Sequence, residues 1–272
     1  MILSRLSFAL CAALACVPTM GAQAASSGWH HVEGGSIRIV TSGGPDEAGL
    51  VRGALEIRLK PGWKTYWLDP GASGVPPTLK ASAGTREAAV EIGFPPPSRF
   101  DDGYAPWAGY DRPVSLALTL KLPKNGIGGA AKPTRLQADV FLGVCETICI
   151  PVQATLSFAP GVGAEQPQDA TVVEAAFAAL PAPARPGFAA EAGAVSDEAI
   201  TVEATLPQGV RALDLFVAGT AGLALGTPER DGDGGIFRVP VAARSGDAAE
   251  RLAYTLVTDA GAVAGVIELP QR

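Results

Sequence analysis

The chain has 272 residues, a net charge of −6 and only 18% charged residues. That acidic balance argues against a nucleic-acid surface, which needs a basic patch. With 33 glycines and 23 prolines, the composition suits many short strands joined by turns rather than a helical bundle.

Residues 1–24 read as a signal peptide. Arg5 supplies the positive start, and residues 6–17 form an apolar stretch too short to span a bilayer. Ala22-Gln23-Ala24 then offers the small-x-small pattern of a cleavage site. Ala13-Leu14-Ala15-Cys16 resembles a lipoprotein box, but the downstream site fits the export pattern better. No later stretch reaches the length of a membrane helix, so a soluble periplasmic chain is expected after cleavage. His30 and His31 fall at its start, where an exposed tail is expected.

Residues 36–40 alternate as a strand does. Residues 50–59 do so more clearly, with Leu55, Ile57 and Leu59 on one face and Glu56, Arg58 and Lys60 on the other. Pro61-Gly62 makes a turn before the aromatic run Trp63-Lys64-Thr65-Tyr66-Trp67. Prolines at 76–77 and 95–97 exclude a central strand there. A second aromatic cluster runs from Arg99 through Phe100, Asp101, Asp102, Tyr104, Trp107 and Tyr110. It is either a packed loop at a sandwich end or a lid. Residues 114–122, 136–141 and 152–158 alternate again, and Gly126-x-Gly128-Gly129 reads as a turn. Strands at this spacing predict an all-β chain whose first domain, over 29–160, is a β-sandwich.

Residues 161–190 change character. Thr171-Val172-Val173-Glu174 reads as a capping box opening a short helix through Leu180. The proline-rich stretch 181–187 reads as a stiff extended linker. Beyond it, residues 199–206, 212–217, 235–241, 252–257 and 263–269 predict a second, smaller β-sandwich over 191–272, without cysteine, histidine or tryptophan.

Of the 4 cysteines, Cys11 and Cys16 lie in the leader, which leaves Cys145 and Cys149. Four residues of straight strand would hold these two roughly 13 Å apart, whereas the Cα atoms of a disulfide usually lie about 4.4 to 6.8 Å apart. A bridge therefore requires the chain to fold back, most simply as a hairpin with Glu146-Thr147-Ile148 in the loop. Three roles are open to the pair: redox exchange, a structural bridge, or metal binding. A structural bridge gains little here, since closing so short a loop contributes roughly 2 kcal/mol in the chain-entropy model. Zinc usually takes four ligands, and the only histidines are His30 and His31; two thiolates could hold Cu(I). No Ser–His or Cys–His hydrolase fits, because no histidine lies outside the expected tail.

Several motifs together carry a resemblance. They are Gly62-Trp63-Lys64-Thr65-Tyr66-Trp67-x-Asp69-Pro70-Gly71-x-Ser73-Gly74-x-Pro76-Pro77, Pro97-x-Arg99-Phe100, Gly109-Tyr110, and Cys145-x-x-Ile148-Cys149-Ile150-Pro151. In combination they resemble the N-terminal periplasmic domain of the DsbD thiol–disulfide transporters, in the ScsB-like branch linked to suppression of copper sensitivity. The resemblance implies an immunoglobulin-like sandwich in which Cys145 and Cys149 carry the exchange. It implies that Tyr66 lies near the pair and that the loop from Phe100 through Asp101 and Asp102 to Tyr104 shields it. The loop here contains Ala105-Pro106-Trp107, a departure from the best-known DsbD loop. Full transporters continue into membrane helices and a thioredoxin-like domain, whereas this sequence stops at Arg272. A separate membrane thiol transporter is therefore expected to supply electrons, and periplasmic thiol or disulfide proteins to receive them, without a cofactor. The alternative is a copper or metal-stress binding module with the pair as Cu(I) ligand or static bridge.

Overall fold

Alternating apolar residues and frequent turns do produce an almost wholly β chain. In a computed structural model, the described residues are 25–71, 74–101, 103, 105–122, 135–162, 166–220, 222–232, 234–245 and 251–270. The expected leader (1–24), Ser73, the glycine turn at 126–129, Asp102 and Tyr104 lie outside the described residues.

The first unit runs through β1 (His30–Val32), β2 (Gly35–Ser42), β3 (Leu50–Leu59), β4 (Lys64–Tyr66), β5 (Thr78–Ala83) and β6 (Arg86–Gly93). It continues with β7 (Ser98–Phe100), β8 (Trp107–Tyr110), β9 (Val114–Lys121), β10 (Leu136–Cys145) and β11 (Cys149–Phe158). One layer is β1-β2-β3-β9-β6; the other holds β5, β10, β11, β4, β8 and β7. Strand β6 serves both, pairing with β5 through residues 86–88 and with β9 through residues 89–93. The layers close on Ile37, Leu55, Ile57, Leu116, Leu118 and Leu120 from one side and Leu136, Val140, Leu142 and Leu156 from the other. This is an immunoglobulin-like β-sandwich.

Two expectations need correction in this unit. His30 and His31 are not a loose tail: β1 pairs with β2, with His30 opposite Ile37. The Ser27 amide also donates to the Ile39 carbonyl at 2.8 Å. Nor does β3 alternate cleanly, since it is buried almost throughout. The reason is helix α1 (Pro167–Ala178), which lays Val173 and Ala176 on Val40, Ala54 and Ala117. A strand covered on both faces has no solvent side. Glu56, expected outward, is 9% exposed, and its carboxylate bonds both Arg38 (2.8 Å) and Arg58 (3.0 Å). Arg38 also reaches Asp169 in the first turn of α1 at 3.1 Å, which ties the helix down.

The helix itself begins before the expected capping box. Pro167 occupies the first turn, and Gln166 caps without a side-chain bond. Proline's fixed φ and missing N–H favour that position. Thr171 lies inside the helix and its hydroxyl donates back to the Pro167 carbonyl at 3.0 Å.

The proline-rich stretch is not a free spacer. Strand β12 (Ala182–Pro183) adds in parallel to the edge of the second unit, and the Ala184 amide donates to the Ala264 carbonyl at 2.8 Å. An edge is where a strand proline is tolerated. The second unit continues with β13 (Ala189–Val195), β14 (Ala199–Thr205), β15 (Ala212–Val217) and β16 (Leu223–Leu225). Strands β17 (Glu229–Asp231), β18 (Ile236–Arg244), β19 (Arg251–Thr258) and β20 (Gly261–Glu268) complete it. Its layers are β12-β20-β19-β15 and β13-β14-β18-β16, with β17 on β18. They enclose Ile200, Val202, Leu215, Phe237, Val239, Leu252 and Leu256. Composition hid β13, whose sequence AAEAGAV offers too little apolar bulk to alternate visibly.

Candidate functional site

Strands β10 and β11 form a long antiparallel hairpin whose register runs from Leu136 opposite Phe158 to Cys145 opposite Cys149. Facing residues in such a ladder come close enough for a covalent bridge. The two cysteines form a disulfide with Cα atoms 4.1 Å apart. Glu146, Thr147 and Ile148 make the loop, with the Glu146 amide donating to the Ile148 carbonyl at 3.3 Å. The bridge thus sits at the hairpin tip, as the spacing requires.

The two sulfurs differ in access. Cys145 is 1% exposed, whereas Cys149 lies on the surface beside Ile148, which is 71% exposed. Strand β4 supplies the cover for Cys145, pairing with β10 so that Thr65 faces Val144 and Lys64 faces Cys145. The Thr65 hydroxyl donates to the Gly143 carbonyl at 2.8 Å, which pins this junction. Tyr66, the next residue, places its Oη 3.0 Å from the sulfur of Cys145 and 3.0 Å from that of Cys149.

Two glycines make this approach possible. A Cβ at Gly143 would stand 3.2 Å from the Tyr66 ring, and one at Gly109 would stand 2.2 Å from the Thr65 carbonyl oxygen. The first leaves room for the ring over β10; the second lets β8 close on β4.

An aromatic wall completes the site. Strands β7 and β8 pair so that Phe100 faces Trp107. Their rings stack with centroids 4.3 Å apart, and Trp107 meets Tyr66 edge-on at 5.6 Å. Tyr66, Trp107 and Cys145 form one buried cluster, with Phe100 packed against it. The Lys64 ammonium lies 4.6 Å over the Trp107 ring. Of the cap residues expected from the sequence, Tyr66 is therefore brought to the sulfurs, and Phe100 to the Trp107 ring of the same cluster. Asp101 is exposed, and its carboxylate accepts the Gly103 amide within its own loop at 2.9 Å. Trp107 carries no site signal in the sequence beyond lying in an aromatic stretch, and Lys64, although inside a family motif, is given no role by it. Only the pairing of β7, β8 and β4 reveals their place.

Among the described residues there is no group of three or more His, Cys, Asp and Glu side chains arranged to hold a metal ion. No helix among them is long and apolar enough to cross a membrane.

Comparison with known proteins bears on this arrangement. Residues 45–160 match the family described as "Thiol:disulfide interchange protein DsbD, N-terminal". Residues 45–160 thus form a DsbD N-terminal-like domain. The match spans β3 to β11, so the DsbD N-terminal domain here holds both cysteines, Tyr66, Phe100 and Trp107. Among solved structures, the chain is similar to the N-terminal periplasmic domain of ScsB from Proteus mirabilis, at 23% identity and a TM-score of 0.71. That alignment covers 91% of this chain and 100% of the other, so the shared fold includes the second unit as well as the DsbD N-terminal domain. The periplasmic chaperone SfaE is 14% identical over 85% of this chain and all of the other, with a TM-score of 0.23. A tandem of titin immunoglobulin domains is 12% identical over 91% of this chain and 98% of the other, at 0.19. No curated protein sequence matches the chain.

Proposed function

We propose that the chain is a periplasmic thiol–disulfide exchange protein that passes a reducing pair from Cys145 and Cys149 to oxidised partner proteins. The observation that carries this is the asymmetry of the bridge: an exposed Cys149 and a buried Cys145 share the Tyr66 hydroxyl at 3.0 Å each. A bridge placed only for stability has no need of one accessible sulfur, and this hairpin is already held by its ladder. The family match and the ScsB likeness, a protein domain described as periplasmic, support the same reading.

In the reduced chain the Cys149 thiolate attacks one sulfur of a partner disulfide. The partner's other sulfur leaves as a thiolate, and a mixed disulfide forms. Cys145 then attacks the Cys149 sulfur, restoring the internal bridge and releasing the partner's second thiolate. The partner gains two electrons and the chain loses two. A membrane thiol transporter, acting as donor, reduces the bridge again. Tyr66 donates its hydroxyl hydrogen to whichever sulfur carries charge, and Phe100 and Trp107 keep stray thiols from Cys145.

Single replacements test this. Cys145→Ala leaves the exposed sulfur without its resolving partner and is expected to trap a mixed disulfide with periplasmic proteins, visible on a non-reducing gel. Cys149→Ala is expected to trap little. Capture by neither variant, together with tight stoichiometric Cu(I) binding by the reduced wild type, would replace exchange with a metal-binding role.

A further inference from the structure

The aromatic wall has a second side, and the C-terminal unit occupies it. Successive residues of a strand point to opposite faces. In β4 and just beyond, Tyr66 turns to the sulfurs while Trp67 packs on Phe216, with ring centroids 5.7 Å apart. In β8, Trp107 joins the sulfur cluster while Ala108 joins Trp67, Phe216 and Ala218. In β7, Phe100 stacks on Trp107 while Arg99 forks onto Asp214, at 3.0 and 2.9 Å, and donates to the Leu215 carbonyl at 2.8 Å. Asp69, after β4, accepts the Gly219 amide at 2.6 Å. The junction is close: the cavity lined by Trp67, Arg99, Trp107 and Phe216 holds only about 30 Å³.

We infer that the C-terminal β unit positions the cover of the disulfide, with Arg99 and Asp214 as the positioning pair. Each strand that presents a residue to the sulfurs presents its neighbour to this unit. A bidentate guanidinium–carboxylate pair fixes direction as well as distance, so it sets where Phe100, one residue on, can sit. Loosening it shifts the cover toward open states and exposes Cys145 without touching either cysteine. The unit that carries no chemistry of its own thereby controls access to the site. The inference builds on the exchange reading of the cysteine pair, but its test does not need a partner protein.

The measurement is the second-order rate at which dithiothreitol reduces the Cys145–Cys149 bridge in the full chain. Asp214→Asn should be reduced about fivefold faster or more, because the cover opens more often. Asp214→Glu keeps the carboxylate and should return most of the way to the wild-type rate, which a purely structural contact would not require. Glu268→Gln removes an exposed pair with Arg251 in the same unit and should leave the rate unchanged. Equal rates for wild type and Asp214→Asn, both folded, would overturn the inference. So would the same acceleration in Glu268→Gln. If Asp214→Asn does not fold, Arg99→Lys, which keeps a cation but not the fork, is measured instead, and a wild-type rate there also overturns it. Failure of the cysteine variants to capture partners, with acceleration present, would sink the exchange reading alone. Capture without acceleration would sink only the positioning role.

Discussion

One hydroxyl stands between two sulfurs. Tyr66 Oη is 3.0 Å from each, and in the proposed exchange it is the donor to a thiolate after reduction. Hydrogen bonds to charged groups contribute about 1.5 to 3 kcal/mol. Tyr66→Phe keeps the ring and removes the donor, so the thiol pKa should rise. Iodoacetamide labelling of reduced Cys149 at pH 7 should then slow by about tenfold, with the fold unchanged by circular dichroism. An unchanged labelling rate would show that the hydroxyl does not stabilise the thiolate. Gly143 matters at the same scale. Its missing Cβ would sit 3.2 Å from the Tyr66 ring, so Gly143→Val should push the ring off the sulfurs and accelerate bridge reduction.

At the scale of the element, the hairpin and the helix make opposite demands on stability. The β10–β11 ladder is registered over its full length and its inner residues Leu136, Val140, Leu142 and Val144 are buried. The bridge closes only a short loop at its end, so Cys145→Ala with Cys149→Ala should cost at most about 2 kcal/mol in urea unfolding. Loss of the whole fold would make the bridge a structural necessity. Helix α1 depends on packing rather than on a cap. Val173 is fully buried against Val40, Ala54 and Ala117, so Val173→Ala should cost about 2 kcal/mol by the same measurement. A change below a few tenths would mean that the helix does not seal the β2–β3–β9 face.

At the scale of the whole molecule, both units bury tyrosines that resist ionisation. Burial pushes the Tyr110 phenol far above its usual range, and its hydroxyl donates to the Pro95 carbonyl at 2.8 Å. Burial also raises Tyr254, with Glu191 adding to the rise against the lowering effect of the Ala190 amide bond. The unfolded phenols ionise near 10.0, and the folded ones later. Their contribution is therefore fully present below pH 10 and lost as pH rises above it. The melting temperature should be flat through neutrality and fall steeply above about pH 10. Tyr110→Phe should make that fall shallower. A melting temperature as high at pH 11 as at pH 8 would refute the linkage.

How much of this was legible in the sequence follows from the range of each interaction. Alternation is local, so residues 50–59 and 114–122 showed their strands, and β3 matches its expected span. The distance a disulfide spans is local too, so two cysteines with three residues between them could bridge only by reversing the chain, and they do so at a hairpin tip. The DsbD-like motifs belong to the same order, being runs of neighbouring residues. Nothing local says what covers a strand's outer face. The burial of Glu56 depends on a helix more than a hundred residues further along the chain, and the docking of 182–183 on a strand that comes long after it, β20. The site divides in the same way. Its sulfurs could be read from spacing, and Tyr66 and Phe100 from the family motifs. Trp107 and the Asp214 partner of Arg99 could not, because their places are set by strand pairing and by a unit that begins after the helix. Sequence alone determined that this is a β chain with one cysteine pair able to close a hairpin. Tertiary structure decided which sulfur faces solvent, because exposure is settled only when β4 and β8 pack Tyr66 and Trp107 against Cys145 and leave Cys149 at the surface.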